Sequence, residues 1–393
     1  MKILYVVSRP LEINTSASVR NRATIDGLLE LGHEVHLITS EFDKNHTNFD
    51  ESLSNKRLNV KYLKLGGVQG FAKIGRKIKY LSSLKKWVYN IMSKFEIYDN
   101  LKGIVNYVKD IDIKDGDYDV IISSSDPKSS HLFVNVMFES GVIKDTPWIQ
   151  IWGDPFFSDI TRTNSWLNSK IKKEEEKLLK YARKVIYVSN LTLKEQKEIY
   201  PNYAMKMFYE PIPYVKKEIY PTVDMQKDSL TFLYCGDYTS EIRNILPLYE
   251  AINNSKHKLI ICGGSNLKLE STDRICILPR VSFERTKQLE RECDVLVHLS
   301  NSKGTQIPGK IYQYSGTNKP ILFILDGEKD KIKETFNKYN RYLFCDNNKR
   351  QLGLLINSLR EKIINENTSP LEEFSPKTIS KNILLNKKGI AGE

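Results

Sequence analysis

The sequence predicts an α/β chain built from two doubly wound domains. Short apolar runs alternate with amphipathic segments from one end to the other. The alternation pauses at Pro211, Pro213 and Pro221 and then restarts. A length of 393 residues is enough for two separate cores. The expected bounds are residues 1–210 for the first domain, 211–228 for the linker, 229–370 for the second domain, and a final segment, 371–393.

Ile3 to Val7 is an apolar run of the kind that forms a buried parallel strand. Val19 to Leu31 follows as a helix with Ala23, Ile25, Leu28, Leu29 and Leu31 on its apolar side, closed by Gly32 and His33. Glu34 to Thr39 is the next strand, which completes a βαβ unit without a Gly-x-Gly-x-x-Gly fingerprint. His33 and His36 flank that turn and read as structural. Asp119 to Ser124 is a strand that runs through Ser125, Asp126 and Pro127 into a helix carrying His131. Trp148 to Trp152 is another, running into Gly153, Asp154 and Pro155. Both loops leave the carboxyl ends of strands, where open α/β sheets bind ligands. Ser165 to Arg183 is a charged helix, with its Lys-Glu run at 172–177 read as a solvated face. Val185 to Val188 is a strand, and Ser189 caps a helix ending near Tyr200.

The second half repeats the pattern. Leu230 to Tyr234, Lys258 to Cys262, Arg274 to Leu278, Asp294 to Leu299 and Ile321 to Leu325 read as strands. Ile242 to Asn253, Phe283 to Arg291, Gln351 to Ile364 and Ser375 to Leu385 read as helices. Behind the strand that ends at Leu299, Pro308, Gly309 and Lys310 open a further helix. Proline fits a first helical turn, glycine allows close approach of a ligand, and the lysine adds positive charge for a diphosphate.

Forty per cent apolar and 27 per cent charged residues describe an ordinary globular protein. The net charge of +12 favours anionic partners such as phosphorylated substrates or anionic lipid, and no nucleic-acid motif accompanies it. None of the five cysteines forms a Cys-x-x-Cys pair, so buried, reduced thiols are expected. Met1 to Ser8 is too short for a signal peptide, and no apolar run approaches the ~20 residues of a membrane span, so a cytoplasmic location is expected. Phe71 to Phe95 carries seven basic residues and no acidic one around an apolar stripe, with Tyr80, Trp87 and Tyr89 interleaved. Such a stretch suits an anionic membrane surface. No Asp-x-Asp pair stands in a useful place, and no zinc motif is present. The pairs at Asp110–Asp112 and Asp117–Asp119 read as solvated turns.

The order of FLYCGDY at 232–238, LIICGG at 259–264, RVS at 280–282, CDVLV at 293–297, PGKIYQY at 308–314 and KP at 319–320 carries a resemblance. It resembles the donor-binding domain of a GT-B glycosyltransferase of the large retaining family 4 type, and the first half resembles the same group more loosely. The resemblance implies two Rossmann-like domains facing a central cleft, with the last segment crossing back to the first. It implies transfer from a UDP- or GDP-sugar to a glycan or polyprenyl-linked acceptor in cell-surface polysaccharide biosynthesis, with retention and with no metal or cofactor. Donor contacts are then expected from Gly236, Asp237, Gly263, Arg280, Val281, Thr305, Ile307, Gly309, Lys310 and Gln313. Acceptor contacts are expected from Ser16, Arg20, Asp126 and Asp154. Arg243, Lys310, Asp154 and His131 are the catalytic candidates. The chain departs from the pattern at Asp237, where an Arg is usual, and at Thr305 and Gln313, where glutamates are usual. Those departures leave room for a GT-B sugar-nucleotide epimerase or a non-catalytic binding subunit.

Overall fold

The computed structural model describes residues 1–55, 57–65, 96–162, 165–221, 224, 226–364 and 368–385. The basic stretch at 71–95 lies outside them. The chain forms two units: Met1–Glu210 with Ser380–Glu393, and Pro211–Ile379. Among the described residues no helix is long and apolar enough to cross a membrane.

The first unit is built on seven parallel strands: β1 (Lys2–Val6), β2 (Glu34–Ser40), β3 (Asn59–Leu63), β4 (Val120–Ser124), β5 (Trp148–Trp152), β6 (Lys184–Tyr187) and β7 (Met207–Tyr209). Their order across the sheet is β3-β2-β1-β4-β5-β6-β7. The central strands are apolar on both faces because helices cover both sides. Those helices are α1 (Ser16–Glu30), α2 (Ser129–Glu139), α3 (Asn168–Leu179) and α4 (Asn190–Ile199). α1 begins earlier than its apolar periodicity implies, because Thr15 caps it by accepting from the Ser18 amide at 3.2 Å. β3 escaped sequence reading because it is an edge strand with Asn59, Lys61 and Tyr62 exposed, so it lacks an apolar run.

The second unit has six parallel strands: β8 (Thr231–Cys235), β9 (Lys258–Cys262), β10 (Ile275–Leu278), β11 (Val295–Leu299), β12 (Ile321–Leu325) and β13 (Leu343–Asp346), in the order β10-β9-β8-β11-β12-β13. Its helices are α5 (Leu246–Asn253), α6 (Phe283–Glu292), α7 (Lys310–Ser315), α8 (Lys329–Asn337) and α9 (Lys349–Ile364). α5 starts at Leu246, not Ile242. The Ser302 amide donates to the Ile242 carbonyl at 2.7 Å and the Ser302 hydroxyl to the Glu241 carbonyl at 2.8 Å. These bonds keep 241–243 out of the helix, and Pro247 sits in its first turn.

The chain rejoins the first unit at Ser380, within α10 (Pro376–Leu384). The Ser380 hydroxyl donates to the Thr24 carbonyl at 2.8 Å. The Lys184 ammonium donates to the carbonyls of Asn382, Ile383 and Leu385, each at 2.9 Å. A cation on these otherwise unpaired carbonyls offsets the negative end of the helix dipole. Four of the five cysteines are buried, and Cys276 is exposed; all are free thiols.

Candidate functional site

In the second unit the strand order reverses between β8 and β11, so the loops that follow these strands frame the expected ligand position. Arg243 ties the two loops together. Its Nε donates to Asn301 Oδ1 at 2.8 Å and its Nη1 to the Asp237 carbonyl at 3.0 Å. The Asp237 carboxylate joins two more loops, pairing with Arg280 and accepting from the Gly264 amide at 2.8 Å. Asp237, standing where the resembled family has an Arg, is thus a partner for Arg280. Gly263 is required by close approach, since a Cβ there would overlap the Gly236 carbonyl oxygen. We expect Gly263→Ala to push the β8 and β9 loops apart, with a loss of about 1–3 kcal/mol seen as a lower Tm.

Cys235 and Cys262 are register partners at the ends of β8 and β9. The hydrogen bond from Cys235 is the main cause that brings the Cys262 thiol down to about 7, against burial; the Val281 amide, Lys310 and Arg280 assist. Ile307 is buried, and Thr305 and Gly309 are half-buried. A Cβ on Gly309 would come within 3.2 Å of Ile212 Cδ1.

α7 has six residues, with Gly309 at its N-cap and Pro308 just outside it. So short a helix carries little dipole, so anion attraction here rests on Lys310. Lys310 is 32 % exposed, with its Nζ 3.6 Å from Glu290 Oε1 and over the Tyr314 ring at 5.5 Å. Glu290 is itself buried and accepts from Lys287 at 2.8 Å and from the Tyr220 hydroxyl at 3.2 Å. Gln313 bonds backbone through both amide atoms. Its Oε1 accepts from the Val215 amide and its Nε2 donates to the Pro213 carbonyl, both at 3.0 Å. The side chain expected at a ribose clamps the segment at 213–215.

In the first unit the order reverses between β1 and β4. Beside that point, Arg20 reaches up from α1. It is 5 % exposed, its Nη2 donates to Ser124 Oγ at 3.4 Å, and its guanidinium lies against Gly153. Asp126 follows β4, with cis peptide bonds on both sides, and pairs with Lys128. Asp154 follows β5, the strand next to β4, which Asp126 follows. Burial first, and the Asp126 charge second, push Asp154 up to about 7. Burial alone would raise Asp126 as well, but Lys128 outweighs it and holds Asp126 below the usual carboxylate range.

Ser16 is exposed at the start of α1. His131 lies inward. It is 0 % exposed, with Nδ1 2.7 Å from Ser123 Oγ and its ring 4.3 Å from that of Trp152. The third residue of α2 faces the sheet, so His131 packs in the core.

Three residues of these sites escaped sequence reading. Lys128 stands two positions after Asp126 in the same loop. Glu290 shares the buried face of α6 with Thr286 and Leu289. Glu175 corrects the reading of 172–177 as a solvated face. It is fully buried and accepts from the amides of Phe156 and Phe157, each at 2.9 Å, and from the Tyr200 hydroxyl at 2.8 Å. Its signal was present, because Ile171, Glu175 and Leu178 fall on one helical face.

No family model and no curated protein matches the chain. Solved structures do. HepE of Anabaena in complex with UDP-glucose aligns with a TM-score of 0.56 at 13% identity, over 97% of this chain and 95% of its own. A glycosyltransferase of Rickettsia africae aligns at 0.51 and 17% identity, over 97% of this chain and 92% of its own. The UDP-GlcNAc 2-epimerase of Methanocaldococcus jannaschii aligns at 0.50 and 12% identity, over 98% of both chains. Likeness at these identities shows the fold: two Rossmann-like domains of the GT-B type.

Proposed function

We propose that the protein is a glycosyltransferase that moves a sugar from a UDP- or GDP-sugar to a glycan or polyprenyl-linked acceptor of the cell surface. The observation that carries this reading is the set of cations at the β8/β11 switch point. Arg243 and Arg280 stand on loops and Lys310 at the start of α7, all after the carboxyl ends of strands, where the leaving diphosphate gains negative charge. We assign the transfer no metal, because those side chains supply the positive charge. Similarity to HepE, which was solved with UDP-glucose, supports the donor class.

The test is release of UDP or GDP from a panel of nucleotide sugars, with and without short glycans or polyprenyl-linked sugars. Release that depends on an acceptor and survives chelator supports the reading. Loss of release in chelator and its return with Mg²⁺ would remove the metal-free part. One observation favours a second reading. The Asp126–Asp154 carboxyl pair is of the kind that sugar epimerisation requires, and an epimerase has the same fold. Deuterium entering the sugar from D₂O without any glycoside product would favour it.

A further inference from the structure

Cys235 ends β8 and Cys262 ends β9, and the two stand opposite each other as register partners in parallel strands. Such partners point to the same side of the sheet, about 4.8 Å apart across the ladder. A disulfide needs Cα atoms roughly 4.4–6.8 Å apart, so the backbone already meets that requirement. Among the described residues no other two cysteines are so paired. Cys276 stands opposite Ile260, Cys345 opposite Ile324, and Cys293 lies before β11. Both thiols are 5 % exposed, so a reagent that reaches them must be small.

The pair lies at the root of the candidate donor loops. The Gly236 amide donates to the Cys262 carbonyl at 2.9 Å. The Cys262 thiol donates to the Pro279 carbonyl at 3.3 Å, one residue before Arg280. Gly263 lies so close to the Gly236 carbonyl that a Cβ would not fit between them. A disulfide would draw the two Cβ atoms to about 3.8 Å and take the Cys262 sulfur away from Pro279. The glycines leave no room to absorb that shift, so it passes to the loops, where Asp237 holds Arg280 and the Gly264 amide.

We propose that Cys235 and Cys262 form a reversible thiol–disulfide switch that a peroxide closes, and that closing it weakens nucleotide binding at these loops. The binding half rests on the transferase reading above, and the covalent half does not. The Cys262 thiolate attacks one oxygen of hydrogen peroxide. The O–O bond breaks, the departing oxygen takes up a proton and leaves as water, and the sulfur becomes a sulfenic acid. The Cys235 thiol then attacks that sulfur and loses its proton, the S–O bond breaks, and a second water leaves. The two sulfurs give up two electrons, which reduce one peroxide to two waters. A dithiol reopens the bond by exchange. Cys262 attacks first because its thiol is brought down to about 7, chiefly by Cys235, whereas the same neighbour and burial push Cys235 up. Lys310 on α7, Arg280 after β10 and Glu290 on α6 are the charges that act on the pair, with the Tyr314 hydroxyl as a further titratable neighbour.

The test uses the full chain, reduced and then treated with hydrogen peroxide at neutral pH. Remaining thiols are alkylated after unfolding, and the peptides are mapped by mass spectrometry. We expect a cross-link between the peptides of Cys235 and Cys262 that dithiothreitol removes. Cys276, the exposed thiol, reports that oxidant was present. In Cys235→Ala the sulfenic acid should persist at Cys262 and be trapped by dimedone, whereas in Cys262→Ala dimedone should label Cys235 at least ~10-fold less. Binding is read in Cys276→Ser, which removes the exposed thiol. Its affinity for UDP should fall ~10-fold on oxidation and return with dithiothreitol. Oxidation of Cys276 with Cys235 and Cys262 both still alkylated overturns the inference and leaves the transferase reading standing. So does a cross-linked protein that binds UDP within about twofold of the reduced one. Reduced protein that binds neither UDP nor GDP overturns the transferase reading and the switch together.

Discussion

Glu175→Ala is expected to destabilise the first unit by about 3–5 kcal/mol, the range for stripping a buried ionic or multiply bonded group from its partners. The carboxyl is enclosed in α3 and accepts from two consecutive amides and a tyrosine hydroxyl. Burial raises its pKa, and the Phe156 and Phe157 amides with Tyr200 pull against that rise. Alanine strips the partner from the Phe156 and Phe157 amides, leaves the Tyr200 hydroxyl only its 3.3 Å bond to the Lys172 carbonyl, and opens a cavity beside them. For a unit of this size the fall in Tm should be roughly 6–20 °C. Glu175→Gln keeps an acceptor oxygen in place and should cost less. The amides it clamps belong to the residues just after Pro155, so the variant should also loosen the Asp154 loop and lower turnover before it unfolds. A thermal melt that is unchanged within 2–3 °C, read by a probe specific to this unit, would show that the clamp carries no weight.

The central strands were legible because nothing competes with an apolar run that is covered on both faces. β5 and β9 have the bounds read from the sequence, and β1, β4 and β8 shift by one residue. The edge strands β3, β7 and β13 were not legible. β3 shows three of its five side chains to solvent and β7 has only three residues, so neither has a pattern to read. The loops of the candidate sites were legible as positions, since each follows an apolar strand. What their side chains bond was not legible, because the partners are far away in sequence. Asp237 finds Arg280, Gln313 finds residues 213–215, and Glu290 finds Tyr220. His131 could be read only as a histidine entering a helix. Which way it faces depends on α2 packing against β4 and β5, where Ser123 and Trp152 receive it. Lys128 and Glu175 are the converse, since charge made them look solvated while a nearby carboxylate or a pair of amides made burial tolerable.

Lys310→Ala is expected to weaken binding of UDP or a UDP-sugar at least ~10-fold, about 1.4 kcal/mol for one lost charge-assisted contact. Three features of its setting make this lysine the one to test. It is partly exposed at the start of α7, 32 % against 21 % for Lys287, the other lysine beside Glu290. Its distance of 3.6 Å from Glu290 Oε1 is too long for a hydrogen bond. Glu290 Oε2 is bonded without it, by Lys287 at 2.8 Å and the Tyr220 hydroxyl at 3.2 Å, while the buried Oε1 makes no hydrogen bond and has the Lys310 charge beside it. Lys310 can turn its ammonium to a diphosphate while Lys287 stays paired with Glu290, so its loss should cost affinity more than stability. Calorimetric titration with UDP, at low and high salt, separates these costs. Wild-type affinity should fall with salt more steeply than that of the variant, since one screened ion pair is absent from the latter. Lys310→Arg should keep part of the affinity through charge alone, although a guanidinium does not reproduce a compact ammonium. Equal affinity in a folded Lys310→Ala protein would take this lysine out of the donor site and leave the diphosphate to Arg243 and Arg280.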